Sequence, residues 1–136
     1  MMKIFIDTNI FISAILFPNS KSSLAFTKAL TYPFEPITSD YVIEELISKF
    51  NEKFDTHIKD LEDFLSVFIS NITIIKTPAL KLNKETFIRD TKDMPILRAA
   101  IKANADYILT GDKDFLESGI CKPTCISAAD FLNLRN

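Results

Sequence analysis

The stretch IFIDTN at residues 4–9 is the most informative part of this 136-residue chain. Ile4, Phe5 and Ile6 form a continuous apolar run, as expected of a strand that is covered on both faces. Asp7 follows at the carboxyl end of that strand, where open parallel α/β sheets bind their ligands. Asp-Thr-Asn is also favourable turn chemistry, so an N-cap role for Asp7 is the alternative.

The stretch YILTGDKDF at residues 107–115 repeats this arrangement. A strand is predicted over 107–110, and Asp112 follows it in a Thr-Gly-Asp turn. Gly111 is expected to let the backbone turn sharply and approach a ligand closely. Asp114 would either share a cation with Asp112 or cap the turn that leads to Phe115.

Two further stretches place acids on or beside predicted helices. In DTKDMPILRAA at residues 90–100, Asp93 shares a face with apolar residues, which is costly unless the carboxylate is capped or paired. Asp90 is expected to stay in solvent. In VIEEL at residues 42–46, Glu44 and Glu45 lie on opposite edges of an apolar stripe. Periodicity therefore leaves the choice between these two glutamates open.

These acids together predict a metal site. Carboxylates that are held close together repel one another and favour a cation between them. The only histidine is His57 and the only cysteines are Cys121 and Cys125, too few for a zinc site or a disulfide framework. Oxygen ligands alone favour the hard ions Mg²⁺ and Mn²⁺.

The rest of the pattern predicts an α/β fold in a single domain spanning residues 1–136. Strands are predicted at 3–7, 34–38, 72–75, 107–110 and 124–127, and helices at 20–30, 40–50, 58–69, 93–103 and 127–134. Pro95 is tolerable in the first turn of its helix. Residues 76–89 are predicted to be a connecting loop with at most one helical turn. Strands that alternate with helices imply a short, mostly parallel sheet of about four or five strands with helices on both faces.

Composition excludes some classes of protein. A hydrophobic fraction of 47% with only 2 glycines argues against disorder, and no apolar run approaches the roughly 20 residues that a membrane span needs. Asp7 and Asn9 interrupt the apolar N-terminal run, so no signal peptide is predicted. The sparse cysteines fit reduced thiols in a cytoplasm. The net charge of -2 argues only weakly against a nucleic-acid partner, because metal ions would compensate the site acids.

The order of these motifs resembles the PIN domain, a family of small metal-dependent nucleases. The resemblance runs from residues 4–9 to residues 127–132 and puts the four acids of the family on Asp7, Glu45, Asp93 and Asp112. It thereby chooses Glu45 over Glu44, and it makes Asp114 an accessory acid. Within the family, the chain is similar to the VapC-like toxins of toxin–antitoxin pairs. It departs from the family pattern at Pro95 and in its weakly basic surface.

The resemblance implies a ribonuclease in which water, activated by one or two Mg²⁺ or Mn²⁺ ions, hydrolyses a phosphodiester bond. It implies metal ligation by Asp7, Asp93, Asp112 and Asp114, an RNA substrate, a homodimer and a small antitoxin as partner. The residues expected to support the site are Thr8, Asn9, Ser39, Thr110 and Gly111. The candidate phosphate contacts are Lys92, Arg98 and Lys113.

Three other functions are alternatives to this interpretation. A phosphatase of the haloacid-dehalogenase type needs an acid two residues after its nucleophilic aspartate, and Asn9 occupies that position. A phosphate-accepting receiver domain expects paired acids before the phosphorylated strand end and a late lysine. A catalytically silent PIN-like module that only binds a partner would have lost one or more of the four acids, and all four are present.

Overall fold

The protein is described by a computed structural model that covers residues 1–135. Five short strands form one sheet: β1 (Met2–Ile6), β2 (Phe34–Ser39), β3 (Thr73–Ile75), β4 (Tyr107–Leu109) and β5 (Thr124–Ile126). Their order across the sheet is β3-β2-β1-β4-β5, and every neighbouring pair is parallel. The predicted short parallel sheet is confirmed.

Seven α-helices and four short 3₁₀ turns surround this sheet in the described part of the chain. The helices are α1 (Thr8–Leu16), α2 (Lys21–Ala29), α3 (Asp40–Lys53), α4 (Ile58–Phe68), α5 (Met94–Lys102), α6 (Lys113–Leu116) and α7 (Ala128–Asn133). The 3₁₀ turns span Asp55–His57, Ile69–Asn71, Asn83–Phe87 and Thr91–Asp93. From β1 to β3 the chain steps across the sheet in one direction, and from β3 to β5 it steps back. Because such crossovers are right-handed, the two directions put helices on opposite faces of the sheet. Among residues 1–135, no helix has the length and apolar character to cross a membrane.

Helices α1 and α6 were not predicted. Asp7 is the N-cap of helix α1, and its side chain accepts a hydrogen bond from the backbone N–H of Thr8. Asn9 is the only exposed residue of the helix. Its sequence lacks a polar face because α2, α3 and α4 all pack against it. Helix α6 is a single helical turn of four residues, at a place where the sequence predicted only a connecting turn.

Phenylalanine rings link the helices that cover β1 and β2. Phe11 of α1, Phe26 of α2, and Phe64 and Phe68 of α4 form a group with ring centroids 4.8–6.2 Å apart. Phe5, Phe50, Phe115 and Phe131 are fully buried elsewhere in the core. Most phenylalanines are therefore core residues.

A buried ion pair attaches the long segment after β3 to α5. The Arg98 guanidinium donates to both carboxylate oxygens of Glu85, at 2.8 and 3.2 Å, and to the carbonyl of Pro78 at 2.8 Å. The two side chains are only 10% and 3% exposed. Arg98 was predicted to contact phosphates, and this prediction was wrong. Its charge is already paired inside the protein, with a partner 13 residues away that helical periodicity does not reveal.

The carboxyl ends of β1 and β4 define where a cleft opens. These strands are neighbours, yet their connections leave the sheet in opposite directions, β1 toward β2 and β4 toward β5. Loops that diverge in this way leave a crevice at the edge of a parallel sheet. Asp7 follows β1 and Asp112 follows β4, so both acids lie at this crevice.

Candidate active site

Asp7 is almost completely buried, with 3% of its surface exposed. Its Oδ1 accepts from the Thr8 backbone N–H at 2.7 Å, and its Oδ2 accepts from the Thr110 hydroxyl at 2.7 Å. The Thr110 hydroxyl also accepts from the Asp112 backbone N–H at 3.0 Å, so it joins the ends of β1 and β4. Burial raises the pKa of Asp7 to about 6, although the hydrogen bonds from Thr110 and Thr8 oppose the shift. Asp7 is thus an N-cap and a cleft residue at the same time.

Glu45 reaches the cleft from α3. It is half-buried and accepts a hydrogen bond from the Thr8 hydroxyl, whereas Glu44 is exposed. The start of α3 is fixed by Ser39, a buried residue whose Oγ accepts from the Val42 backbone N–H at 3.2 Å. The geometry therefore brings Glu45, rather than Glu44, to Asp7.

Asp93 has the least satisfied carboxylate in the described part of the chain. It is 8% exposed and occupies the N-cap position of α5, but its side chain caps no backbone N–H. Its Oδ2 is buried and has no hydrogen-bond partner among residues 1–135. Burial, followed by the facing carboxylate of Asp112, raises its pKa well above the usual range. An unsatisfied buried acceptor costs roughly 1–3 kcal/mol, a cost that a bound cation would remove.

Asp112 and Asp114 continue the acidic group. Asp112 caps α6, since its Oδ1 accepts from the Asp114 backbone N–H at 2.8 Å. The Asp114 carboxylate pairs with Arg89 at 2.8 Å. Carboxylate oxygens of Asp90, Asp93 and Asp114 also lie within 4.8 Å of one another. Asp90 is exposed, as predicted, but it belongs to this acidic group rather than to open surface.

Most of the predicted site residues line one cavity of about 220 Å³, together with three residues that were not predicted. The lining consists of Asp7, Thr8, Asn9, Glu45, Lys49, Lys53, Asp90, Lys92, Asp93 and Asp112. Asp90, Lys49 and Lys53 were missed. The two lysines follow Glu45 by four and eight residues, a helical spacing that could have revealed them.

Two predicted residues have a smaller part in the site than expected. Lys113 is exposed at the first position of α6, outside the group that lines the cavity. Gly111 is not in the left-handed region, and a Cβ added to it would meet no atom within 4 Å. Its backbone therefore does not need the special freedom that was predicted.

The donors in this cavity suit a hard divalent cation. The candidate ligand atoms are oxygens, most of them from carboxylates, and the buried Oδ2 of Asp93 lacks a hydrogen-bond partner within the described residues. Mg²⁺ and Mn²⁺ prefer such ligands, and a bound ion would offset the repulsion among the acids.

Comparison with known proteins identifies the family. Residues 3–114 match the family model of the PIN domain, so the chain belongs to the PIN domain family. No curated protein sequence matches it.

Two solved structures share its fold. The crystal structure of VapBC2 from Rickettsia felis, bound to a DNA fragment from their promoter, superposes with a TM-score of 0.67 at 21% identity and covers 93% of this chain and 98% of that one. The structure of FitAB bound to the IR36 DNA fragment gives a TM-score of 0.62 at 17% identity and covers 98% of each chain. At these identities the likeness establishes the fold.

Proposed function

We propose that this protein is a metal-dependent ribonuclease. The observation that carries the proposal is the buried, unpartnered Oδ2 of Asp93, which lies in a cavity lined by four other carboxylates. A chain without a cation there would bear an uncompensated acceptor and strong repulsion among its acids. Asp7, Asp93 and Asp112 would hold Mg²⁺ or Mn²⁺, with Asp114 as an accessory ligand.

The chain's own residues orient the reactants. Thr110 fixes Asp7 against the end of β4, and the Thr8 hydroxyl fixes Glu45 at the cavity, where it can accept a proton or hydrogen bond from the attacking water. A bound divalent ion supplies charge neutralisation at the phosphate and lowers the pKa of water. The cavity lining contains no cysteine or histidine, so we propose attack by water rather than by a protein nucleophile.

We further propose that the protein is the toxin of a toxin–antitoxin pair and acts on RNA in the cytoplasm. Membership of the PIN family and a fold shared with VapBC2 and FitAB support this proposal. A small antitoxin would silence the enzyme, and the active form would be a homodimer. Light scattering of the purified protein tests the dimer, and a monomeric mass at micromolar concentration would contradict it.

The ribonuclease proposal predicts that single-stranded RNA is cleaved with Mg²⁺ or Mn²⁺ and not in excess chelator. Asp7→Asn should lower the rate by at least about 100-fold, because it removes a charged ligand and not the fold. The matched control is Glu62→Gln, which removes an exposed acid of α4 and should cleave like the wild type. Cleavage that persists in chelator, or an Asp7→Asn variant as active as Glu62→Gln, would contradict the proposal.

The rival functions predict different outcomes of the same assay. A silent partner-binding module would leave RNA intact under every metal condition. A haloacid-dehalogenase-type phosphatase would form an aspartyl phosphate that acid-quench labelling detects, with no cut in the RNA.

A further inference from the structure

Three lysines in the acidic cavity are free of ion pairs. Lys49, Lys53 and Lys92 line the cavity beside five carboxylates, yet within residues 1–135 none of them has a carboxylate oxygen within 4.0 Å of its Nζ. Lys59, on the open surface of α4, instead pairs with Asp63 at 2.8 Å. The ammonium groups in the cavity are therefore available to a ligand.

The three lysines line the cavity from two separate elements, α3 and the 3₁₀ turn before α5. Lys49 and Lys53 follow Glu45 on one face of α3, about 6 and 12 Å further along the helix axis. Lys92 lines the same cavity from the 3₁₀ turn at Thr91–Asp93. A polyanion that leaves the acid group along α3 would therefore pass between cations.

Lys49 and Lys92 also line a second, shallower cavity of about 390 Å³ next to the first. Both residues thus stand where the two cavities adjoin. Glu44 and Glu52 line this second cavity as well, and Glu52 accepts a hydrogen bond from the Ser48 hydroxyl at 3.2 Å. Because these acids repel phosphate, a nucleic-acid strand needs the two lysines to pass here.

We propose that Lys49, Lys53 and Lys92 bind the phosphates of the RNA strand on one side of the cleavage point and position it over the acid group. This inference rests on the proposed ribonuclease function and assigns the path of its substrate. These are positioning residues, since they act on phosphates other than the one that is cleaved. Lysine binds phosphate as a point charge, so the contacts select the RNA backbone and not its sequence.

The test compares Lys49→Gln, Lys53→Gln and Lys92→Gln in the full chain, with a labelled single-stranded RNA and saturating Mn²⁺. Each variant should raise KM about 3- to 10-fold and leave kcat within about twofold, and the slope of log(kcat/KM) against log[salt] should fall by about 0.7 per lysine. Lys49→Arg keeps the charge and should restore KM. Lys102→Gln is the matched control, because Lys102 is exposed at the far end of α5.

Two results would overturn the inference. One is a KM and a salt slope that match those of Lys102→Gln. The other is an unchanged KM together with tighter Mn²⁺ binding by calorimetry, which would mean that the lysines only offset the charge of the acids.

Binding of the same RNA to Asp7→Asn, followed by fluorescence anisotropy, separates this inference from the function on which it rests. If the wild type does not cleave RNA, but the lysine substitutions made in the Asp7→Asn variant still weaken RNA binding, the ribonuclease proposal is wrong and phosphate binding by the lysines is supported. If the wild type cleaves RNA and these substitutions leave RNA binding unchanged, the proposed lysine contacts are wrong and the ribonuclease proposal is supported.

Discussion

At the scale of single residues, the acids of the cavity are held in positions that disfavour their charged forms. Asp7 is buried at the end of β1, and Asp93 is buried opposite Asp112. Both carboxyl groups have raised pKa values, mainly because burial removes water from the carboxylate. Such groups destabilise the metal-free fold at neutral pH and favour binding of a cation.

This gives a pH-dependent prediction for Asp7→Asn in chelator. The pKa of Asp7 rises from 3.8 to about 6 on folding, so the native state binds more protons than the unfolded state between these values. The contribution of Asp7 to stability therefore falls as the pH rises from about 4 to 6, by on the order of 2–3 kcal/mol. Asparagine carries no such charge, and Thr110 can still hydrogen-bond to it.

Urea unfolding of the wild type and Asp7→Asn at pH 4 and pH 8 measures this effect. The variant should be more stable than the wild type at pH 8, and the difference should shrink toward pH 4. If the wild type were more stable than Asp7→Asn at pH 8 without metal, the raised pKa of Asp7 would be contradicted.

Some residues of the site could be predicted from the sequence, and others could not. Asp7 and Asp112 were predictable because the carboxyl ends of adjacent parallel strands meet at one edge of the sheet. Asp90 was not, because its place in the cavity depends on how the 3₁₀ turn at Thr91–Asp93 sits against α3. That position depends on packing between segments that are far apart in the sequence.

At the scale of secondary-structure elements, the segment between β3 and α5 matters most to the site. It carries Asp90 and ends at Asp93, and the Glu85–Arg98 pair attaches it to α5. Sequence periodicity predicted only a connecting loop here. The pairing of Arg98 with Glu85 could not be predicted, because an ion pair with a loop residue has no helical signature.

Breaking this pair should destabilise the fold. Arg98→Leu leaves the Glu85 carboxylate buried without its partner, which should lower the free energy of unfolding by about 3 kcal/mol. Glu85→Leu combined with Arg98→Leu should recover part of that loss, because two apolar side chains leave no charge unpaired. Urea unfolding at pH 7 measures both variants. An Arg98→Leu variant as stable as the wild type would show that the ion pair does not hold the segment.

Helix α1 shows a second limit of prediction from sequence. Six of the nine residues at 8–16 are apolar and four are β-branched, so they carry no clear amphipathic period. The helix forms because α2, α3 and α4 cover it, and this information lies elsewhere in the chain. The amphipathic α4 and α5, by contrast, were predicted to within one or two residues at each end.

At the scale of the whole molecule, the topology brings the site together. The sheet order β3-β2-β1-β4-β5 reverses direction between β1 and β4, and the acids from β1, α3, α5 and β4 meet there. The alternation of strands and helices made the parallel sheet predictable, but not the order of its strands. The toxin proposal belongs to this scale, because it concerns what the folded protein does in a cell.

Expression in a bacterial host tests the toxin proposal. Induction of the wild type and of Glu62→Gln should arrest growth, while Asp7→Asn at an equal protein level should not, because arrest would require RNA cleavage. Growth arrest by Asp7→Asn, or normal growth with the wild type, would contradict a toxin that acts through nuclease activity.

The most direct measurement of the central claim is X-ray diffraction at the manganese absorption edge, on crystals of the wild type grown with Mn²⁺. The account predicts an anomalous peak within bonding distance of the Asp93 carboxylate, inside the cavity that Asp7 and Asp112 also line. A cavity with no anomalous peak at saturating Mn²⁺, or a peak found only at acids elsewhere on the surface, would contradict it.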